Sequence, residues 1–158
     1  LESGQVDLIV TNYPNSHLSN LKSMKKIGSF KDVFVANKTF IELKDKKVSF
    51  KELLNYPIMM LDKQTTTSEY LHSLFQQHQL DLVPEIELSS NDLLLDLAKI
   101  GLGIAFVPDF CIPKNTKDLF YVHTEEELPN RELAIVYNHQ MPISKAAQEF
   151  LDYFNKEQ

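Results

Sequence analysis

The sequence predicts an α/β protein in which short buried strands alternate with capped helices. Two uninterrupted apolar runs, Ile58–Leu61 and residues 104–107, are typical of strands covered on both faces. Along the chain, strand-like runs are followed by polar loops of Ser, Thr and Asn, which lead into helical segments. Strands that alternate with helices in this way form a parallel sheet with helices on its faces. The fold class is therefore α/β.

Composition indicates a soluble globular domain. The 158 residues are 43% hydrophobic and 24% charged, which is enough apolar material to bury a core. The net charge of −6 repels phosphate backbones, so direct contact with nucleic acid is not expected. No apolar run approaches the roughly 18 residues that cross a bilayer, so no membrane partner is predicted. Cys111 is the single cysteine, and a lone thiol fits a reducing, cytoplasmic location.

The first third of the chain predicts two strands and a short helix. Residues 1–4 resemble the last turn of a helix that ends at Gly4, followed by a strand at 6–10 and a polar loop at 11–19. Because a domain does not naturally begin inside a helix, we expect the chain to be a fragment. A β-branched and aromatic run predicts a strand within 32–40. Ser49 and Glu52 form a capping box that opens a short helix.

Two longer helices are predicted in the middle of the chain. Thr66 and Glu69 have capping-box spacing, and the helix behind them carries one apolar stripe. The stripe consists of Leu71, Leu74, Phe75 and His78. Ser89 and Asp92 form a similar cap before an apolar helix at 93–100, which Gly101 ends.

Further strands are predicted at 84–88, 119–122 and 133–137, and a last helix starts at Ser144. That helix is expected to bury Ala146, Ala147, Phe150, Leu151 and Phe154.

Polar loops that follow strands are the candidate ligand site. In open α/β sheets, ligands bind beyond the carboxyl ends of the strands, in front of helix N-termini. Backbone N–H groups and the positive end of the helix dipole favour an anion there, and hydroxyls can donate or accept hydrogen bonds. A small carboxylate or other anion is the predicted ligand. The candidate residues are Thr65, Thr66, Thr67, Ser89, Ser90, Asn91 and Asn12.

Helix capping explains some of these residues without a ligand. A Ser or Thr at a helix start contributes about 1 kcal/mol as a cap, which accounts for Thr66 and Ser89. One cap suffices for one helix, and consecutive threonines are poor helix formers, so Thr65 and Thr67 are the better site candidates. A bidentate guanidinium clamp would need Arg131, the one arginine of the chain.

No catalytic or metal-binding pattern is present in the sequence. There is no nucleophile elbow, no phosphate-cradling glycine loop and no paired carboxylate motif. The histidines lack metal-ligand spacing: His17, His72, His78, His123 and His139. We therefore predict no catalytic residues, no metal and no cofactor.

Four segments in order resemble the effector-binding domain of LysR-type transcriptional regulators. Residues 98–108 (AKIGLGIAFVP) resemble that family's V-x-x-G-x-G-I-x-x-x-P stretch, and residues 1–8 (LESGQVDL) resemble its L-x-x-G-x-(I/L/V)-D-(L/V). Residues 48–58 resemble its "hydrophobic-x-x-x-x-L then P-hydrophobic" segment, and residues 143–150 (ISKAAQEF) its closing S-x-A-A-x-x-F helix. The resemblance covers essentially the whole chain.

The resemblance implies a type-II periplasmic-binding-protein-like fold with two α/β lobes joined by crossover strands. The first lobe would comprise residues 1–28 and 130–158 and be incomplete, and the second would comprise 29–129. A small effector would bind in the cleft between them, lined also by the segment at Val107 and Pro108. The family contacts DNA through an N-terminal winged helix-turn-helix, which this sequence lacks, and assembles as homodimers or homotetramers through the helix at 67–79.

Two other functions share this scaffold. A solute-binding protein of a transporter has the same fold, and so does an enzyme such as a dehydratase acting on a cyclic carboxylate. Fold does not fix function, and these alternatives stay open at the level of sequence. An upstream helix-turn-helix would favour the regulator and an upstream signal peptide the transporter.

Overall fold

The computed structural model describes residues 1, 3–15, 18 and 23–154 and confirms a mixed α/β fold. The strands are β1 (Leu8–Tyr13), β2 (Ser23–Phe30), β3 (Asp32–Ala36), β4 (Lys47–Val48), β5 (Ile58–Leu61), β6 (Ile86–Leu88), β7 (Ile104–Pro108), β8 (Phe120–Thr124) and β9 (Arg131–Tyr137). The α-helices are α1 (Phe50–Leu53), α2 (Thr66–Gln77), α3 (Asn91–Lys99) and α4 (Lys145–Tyr153). Short 3₁₀ helices occupy Lys38–Leu43 and Asp109–Cys111.

The chain divides into two compact units. The first comprises Leu1–Ser29 and Arg131–Gln158, and the second comprises Phe30–Asn130. In the first unit, three strands form a sheet in the order β1-β9-β2, with β1 and β9 antiparallel. Helix α4 follows β9 and buries Ala147 and Leu151.

The second unit contains a six-stranded mixed sheet in the order β4-β8-β3-β7-β5-β6. Strands β5, β6 and β7 are parallel neighbours, as the alternation of strands and helices predicted. Strand β3 is instead antiparallel to both β7 and β8, so the prediction of an entirely parallel sheet was wrong. Strand β3 starts beside the end of β7, where Asp32 pairs with Pro108, and therefore runs in the opposite direction.

Helices α2 and α3 cover opposite faces of this sheet. Side chains that alternate along a strand point to opposite faces, so Met60 packs with α2 residues such as Phe75. Met59 packs in the other cluster, with α3 residues such as Leu95. The central strands are therefore buried on both sides, which explains their continuous apolar sequences.

Glycine at position 101 ends α3, as predicted. Its φ of +82° lies in the left-handed region, and the Leu102 N–H donates to Leu97 O at 3.1 Å. A Cβ atom at this position would collide with Thr39 Oγ1. Gly101 is therefore required both by its backbone conformation and by close packing.

Several local predictions were wrong. Strand β1 continues to Tyr13, into the predicted loop, because its backbone pairs with β9. Glu2 and the loop residues Ser16, His17 and Ser19 lie outside the described residues. His78 is the exposed C-cap of α2 and does not belong to the buried stripe, whereas Leu71, Leu74 and Phe75 are buried as predicted. On α4, Ala146 and Phe150 are exposed and Phe154 is partly exposed, because the buried face of this helix is the one that carries Ala147 and Leu151, four residues apart.

Candidate functional site

The loops that follow β5, β6 and β7 meet at one edge of the second unit's sheet. These parallel strands end at Leu61, Leu88 and Pro108, and the carboxyl ends of parallel strands share an edge. The Asp62 N–H donates to Leu88 O at 3.0 Å, which ties the loop after β5 to the end of β6. Two long helices, α2 and α3, begin at this edge, one on each face of the sheet. It is called here the carboxyl edge.

Helix α2 is capped by Thr65, and the prediction of Thr66 as the cap was wrong. Thr65 has an extended backbone (φ −92°, ψ 146°), and its Oγ1 accepts from the Ser68 N–H at 3.2 Å. The same hydroxyl donates to Asp62 O at 2.9 Å. Thr66 is already the first helical residue, so its side chain cannot take the cap position.

The next residues of α2 lie on its buried side. Thr67 is 2% exposed and Ser68 is fully buried, on the stripe that continues with Leu71 and Phe75. Ser68 Oγ has no hydrogen-bond partner among the described residues. Helical side chains lean toward the helix N-terminus, so this hydroxyl lies under the start of α2. The sequence analysis did not single out Ser68, although its spacing from Leu71 and Phe75 puts it on the apolar stripe.

Helix α3 is capped by Ser90, and the prediction of Ser89 was wrong by one residue. Ser90 Oγ accepts from the Leu93 N–H at 3.4 Å, and Ser89 is exposed just outside the helix. Asn91 is the first helical residue, and its buried Oδ1 has no partner within the part of the chain that the structure describes.

The two helix starts differ in their electrostatic surroundings. The first turn of α3 carries Asp92. Burial raises the pKa of the Cys111 thiol, and Asp92, Asp32 and Asp109 raise it further, so three carboxylates are close to this thiol. The first turn of α2 also carries one acidic side chain, Glu69, and its start adds the hydroxyls of Thr65 and Thr66. An anion is therefore favoured at α2 over α3.

The other predicted site residues are placed less favourably. Val107 is fully buried within β7, where it packs against α3, and Pro108 is buried at the end of the same strand. Asn12 lies within β1 of the first unit, opposite Leu133 in β9, and was wrongly predicted to be a loop residue. Arg131 is fully buried at the start of β9 in the first unit.

The described residues include no group of three or more His, Cys, Asp or Glu side chains that could hold a metal ion. In the same part of the chain, no helix has the length and apolarity to span a membrane. Cys111 is a free, half-buried cysteine with a raised pKa, which lowers the fraction of reactive thiolate at neutral pH.

Comparison with known proteins agrees with this architecture. Over residues 1–158 the sequence matches the family model described as the LysR substrate binding domain. The chain is 28% identical over 123 residues to the HTH-type transcriptional activator CmpR of Synechocystis sp.. That alignment covers 77% of this chain and 40% of CmpR, so the chain spans less than half of that relative.

Solved structures show the same fold at low sequence identity. The regulatory domain of CcmR from Synechocystis PCC6803, in complex with 2-PG, matches with a TM-score of 0.83 at 19% identity. The match covers 97% of this chain and 74% of that one. The effector-binding domain of QuiR, in complex with shikimate, matches with a TM-score of 0.81 at 15% identity over 98% of this chain and 72% of QuiR's.

The matching family model is that of a substrate-binding domain, and the matched relative is a transcriptional activator. The chain belongs to the LysR substrate-binding domain family. The type-II periplasmic-binding-protein-like fold class predicted from the sequence is thereby confirmed. Among the three functions left open by the sequence, family membership supports the regulator over the transporter protein and the dehydratase.

Proposed function

We propose that this chain is the effector-sensing part of a LysR-type transcriptional regulator, and that a small anionic metabolite binds at the carboxyl edge of the second unit. The first unit would correspond to regulatory subdomain I and the second to subdomain II. DNA would be contacted only through a helix-turn-helix outside this sequence, as the description of CmpR as an HTH-type activator suggests.

The observation that carries the proposal is the start of α2. Thr65 caps the helix there, and the Ser68 hydroxyl in its first turn is buried with no hydrogen-bond partner among the described residues. A buried hydroxyl without a partner costs about 1–3 kcal/mol, and a ligand oxygen that accepts its proton removes that cost. Helix-start N–H groups and the helix dipole add a preference for negative charge.

The proposed contact set follows from these positions. Side-chain contacts would come from Thr65, Thr66, Ser68, Ser89, Ser90 and Asn91. Thr67, Val107 and Pro108 would contribute through their backbones. The Ser68 side chain is equally buried and is included because its hydroxyl has no hydrogen-bond partner among the described residues. A contribution from Asn12 of the first unit stays a prediction. Small molecules in the complexes of similar structures, 2-PG in CcmR and shikimate in QuiR, support a ligand of this size.

Assembly and location follow the family. We propose a homodimer or homotetramer in the cytoplasm, with subunit contacts through α2. The side of α2 that faces away from the sheet is accessible for such a contact, because Glu69 is partly exposed and Ser73, Gln76 and Gln77 are exposed. A polar helix face of this kind suits a reversible interface better than an obligate one.

The test has two steps. A thermal-shift screen of small carboxylates, phosphates, amino acids and sugar acids on the full-length protein identifies a binding anion. Calorimetry then compares wild type with Ser68→Ala. Because the Ser68 hydroxyl has no partner in the described residues, its removal should leave the free energy of unfolding unchanged or slightly higher. Affinity should fall at least about tenfold, since a hydrogen bond to a charged group contributes roughly 1.5–3 kcal/mol.

A matched control comes from the first unit. Ser144 caps α4 by accepting from the Ala147 N–H at 3.3 Å, so Ser144→Ala should lower stability and leave affinity unchanged. Equal affinity of wild type and Ser68→Ala for the anion would remove Ser68 from the site.

A further inference from the structure

A cavity lies in the second unit, beside the loop at 109–119. Its volume is about 490 Å³, within the range of roughly 300–1,000 Å³ typical of small-molecule sites. Strand residues Val35 and Tyr121 form its floor, and the loop supplies Phe110 and Leu119. None of the residues proposed for the effector site lines it.

The cavity floor is separated from the carboxyl edge. Pro108, at that edge, pairs with Asp32, whereas Val35 pairs with Ala105 three residues further in, and also with Tyr121. At about 3.3 Å per strand residue, the floor lies about 10 Å from the edge. The cavity is therefore a different site from the one at the start of α2.

Two exposed aromatic side chains converge on this cavity. Phe110 is 63% exposed and Tyr121 is 46% exposed, and every other Phe and Tyr of the second unit is buried or only partly exposed. The Phe110 ring is held edge-on against Phe30, with 5.4 Å between ring centroids. Aromatic surface left in water is energetically unfavourable, and a planar ring stacked on it would remove that surface from water. The geometry favours a ligand with an aromatic ring.

The polar lining selects the charge of the ligand. Lys114 is the one cationic side chain of the lining, and Thr116 adds a hydroxyl from the same loop. Lys114 is exposed and makes no ion pair within the described part of the chain. Asp109 lines the end nearest the carboxyl edge, because it directly follows β7, and it disfavours negative charge at that end. A ligand carboxylate is therefore expected at Lys114 and not at Asp109.

We propose that this cavity is a second small-molecule site, which binds an aromatic carboxylate. The ring stacks on Phe110 and Tyr121, and the carboxylate pairs with Lys114 and accepts a hydrogen bond from Thr116. Occupancy of this site does not depend on the anion at α2, because none of the hydroxyls at the start of α2 lines the cavity.

Calorimetry on the full-length protein tests the proposal with phenylacetate as the probe. Acetate lacks the ring and phenylacetamide lacks the charge, and both should bind at least tenfold more weakly than phenylacetate. Lys114→Met and Tyr121→Ala should each weaken phenylacetate binding about tenfold. Lys117→Met is the matched control, since Lys117 is an exposed lysine of the same loop outside the lining, and it should leave binding unchanged.

Three results would overturn the proposal. One is the absence of saturable phenylacetate binding at millimolar concentration. Another is binding that Lys114→Met and Tyr121→Ala leave unchanged. The third is binding that Ser68→Ala abolishes, because the probe would then occupy the α2 site. Lys114 and Tyr121 are exposed, so circular dichroism and melting curves should match wild type and show that lost binding is not lost folding.

Discussion

Replacement of Thr65 by alanine should destabilise the second unit more than replacement of the corresponding serine of α3. Thr65 Oγ1 makes two hydrogen bonds, one accepted from the Ser68 N–H and one donated to Asp62 O. Ser90 Oγ accepts one cap bond, from the Leu93 N–H at 3.4 Å, which is near the limit of a hydrogen bond. Both caps lie at the carboxyl edge of the same sheet, so the stability losses of the two alanine variants can be compared directly.

The expected magnitudes follow from these bonds. Loss of an N-cap costs about 0.5–2 kcal/mol. Two bonds, of 2.9 and 3.2 Å, put Thr65→Ala near the upper end, at about 1.5–2 kcal/mol, and one bond of 3.4 Å puts Ser90→Ala near the lower end, at about 0.5 kcal/mol. Thr65→Ser keeps the hydroxyl and should cost less than about 0.5 kcal/mol.

Urea denaturation followed by circular dichroism measures all three variants, provided that the slope of the transition is unchanged. If Thr65→Ala is as stable as wild type, or Thr65→Ser is as damaging as Thr65→Ala, the hydroxyl does not hold the start of α2 and the local account is wrong.

Three further predictions concern the framework of the second unit. Gly101→Ala should destabilise the protein by at least about 1 kcal/mol in urea denaturation, because its φ is +82° and the added Cβ meets a side chain. Gly28→Ala is the control and should be near neutral, because a Cβ there has nothing within 4 Å. Equal effects of the two substitutions would contradict this prediction. Phe75→Ala should cost about 3–5 kcal/mol by the same measurement, because Phe75 is fully buried and stacked on Phe50 at 4.5 Å, and a loss below 1 kcal/mol would contradict the packing. Cys111 should react with iodoacetamide more slowly in the folded than in the unfolded protein at pH 8, because burial and nearby carboxylates raise its pKa. The stability that this thiol contributes is present below its unfolded pKa and is lost as pH rises through its folded pKa.

The sequence predicted the elements of the second unit well because strong local signals set them. Ile58–Leu61 was predicted with its observed bounds, since a continuous apolar run between Pro57 and a polar loop has one good solution in an α/β protein. Gly101 was predicted as a helix end, and its positive φ agrees. Ser49 was predicted as a cap and accepts from the Glu52 N–H at 3.1 Å.

The finer detail of the candidate site was not accessible from sequence. Thr65 and Thr66 are chemically identical, and only the tertiary path of the chain after β5 decides which of them has extended backbone and caps the helix. The same holds for Ser89 and Ser90. Strand β2 has no strong apolar alternation and forms because it pairs with β9, a partner about a hundred residues away in sequence. Long-range pairing of this kind is invisible to local patterns.

The most direct test of the central claim is the position at which the effector binds the second unit. The isotopically labelled full-length protein is titrated with the anion found by screening, and the changes in amide chemical shift locate the bound effector. The account predicts saturable shifts at residues 65–68 and 89–91, with little change at 100–103 on the opposite edge of the sheet. Saturable shifts confined to other regions, with the first turn of α2 unaffected, would contradict it.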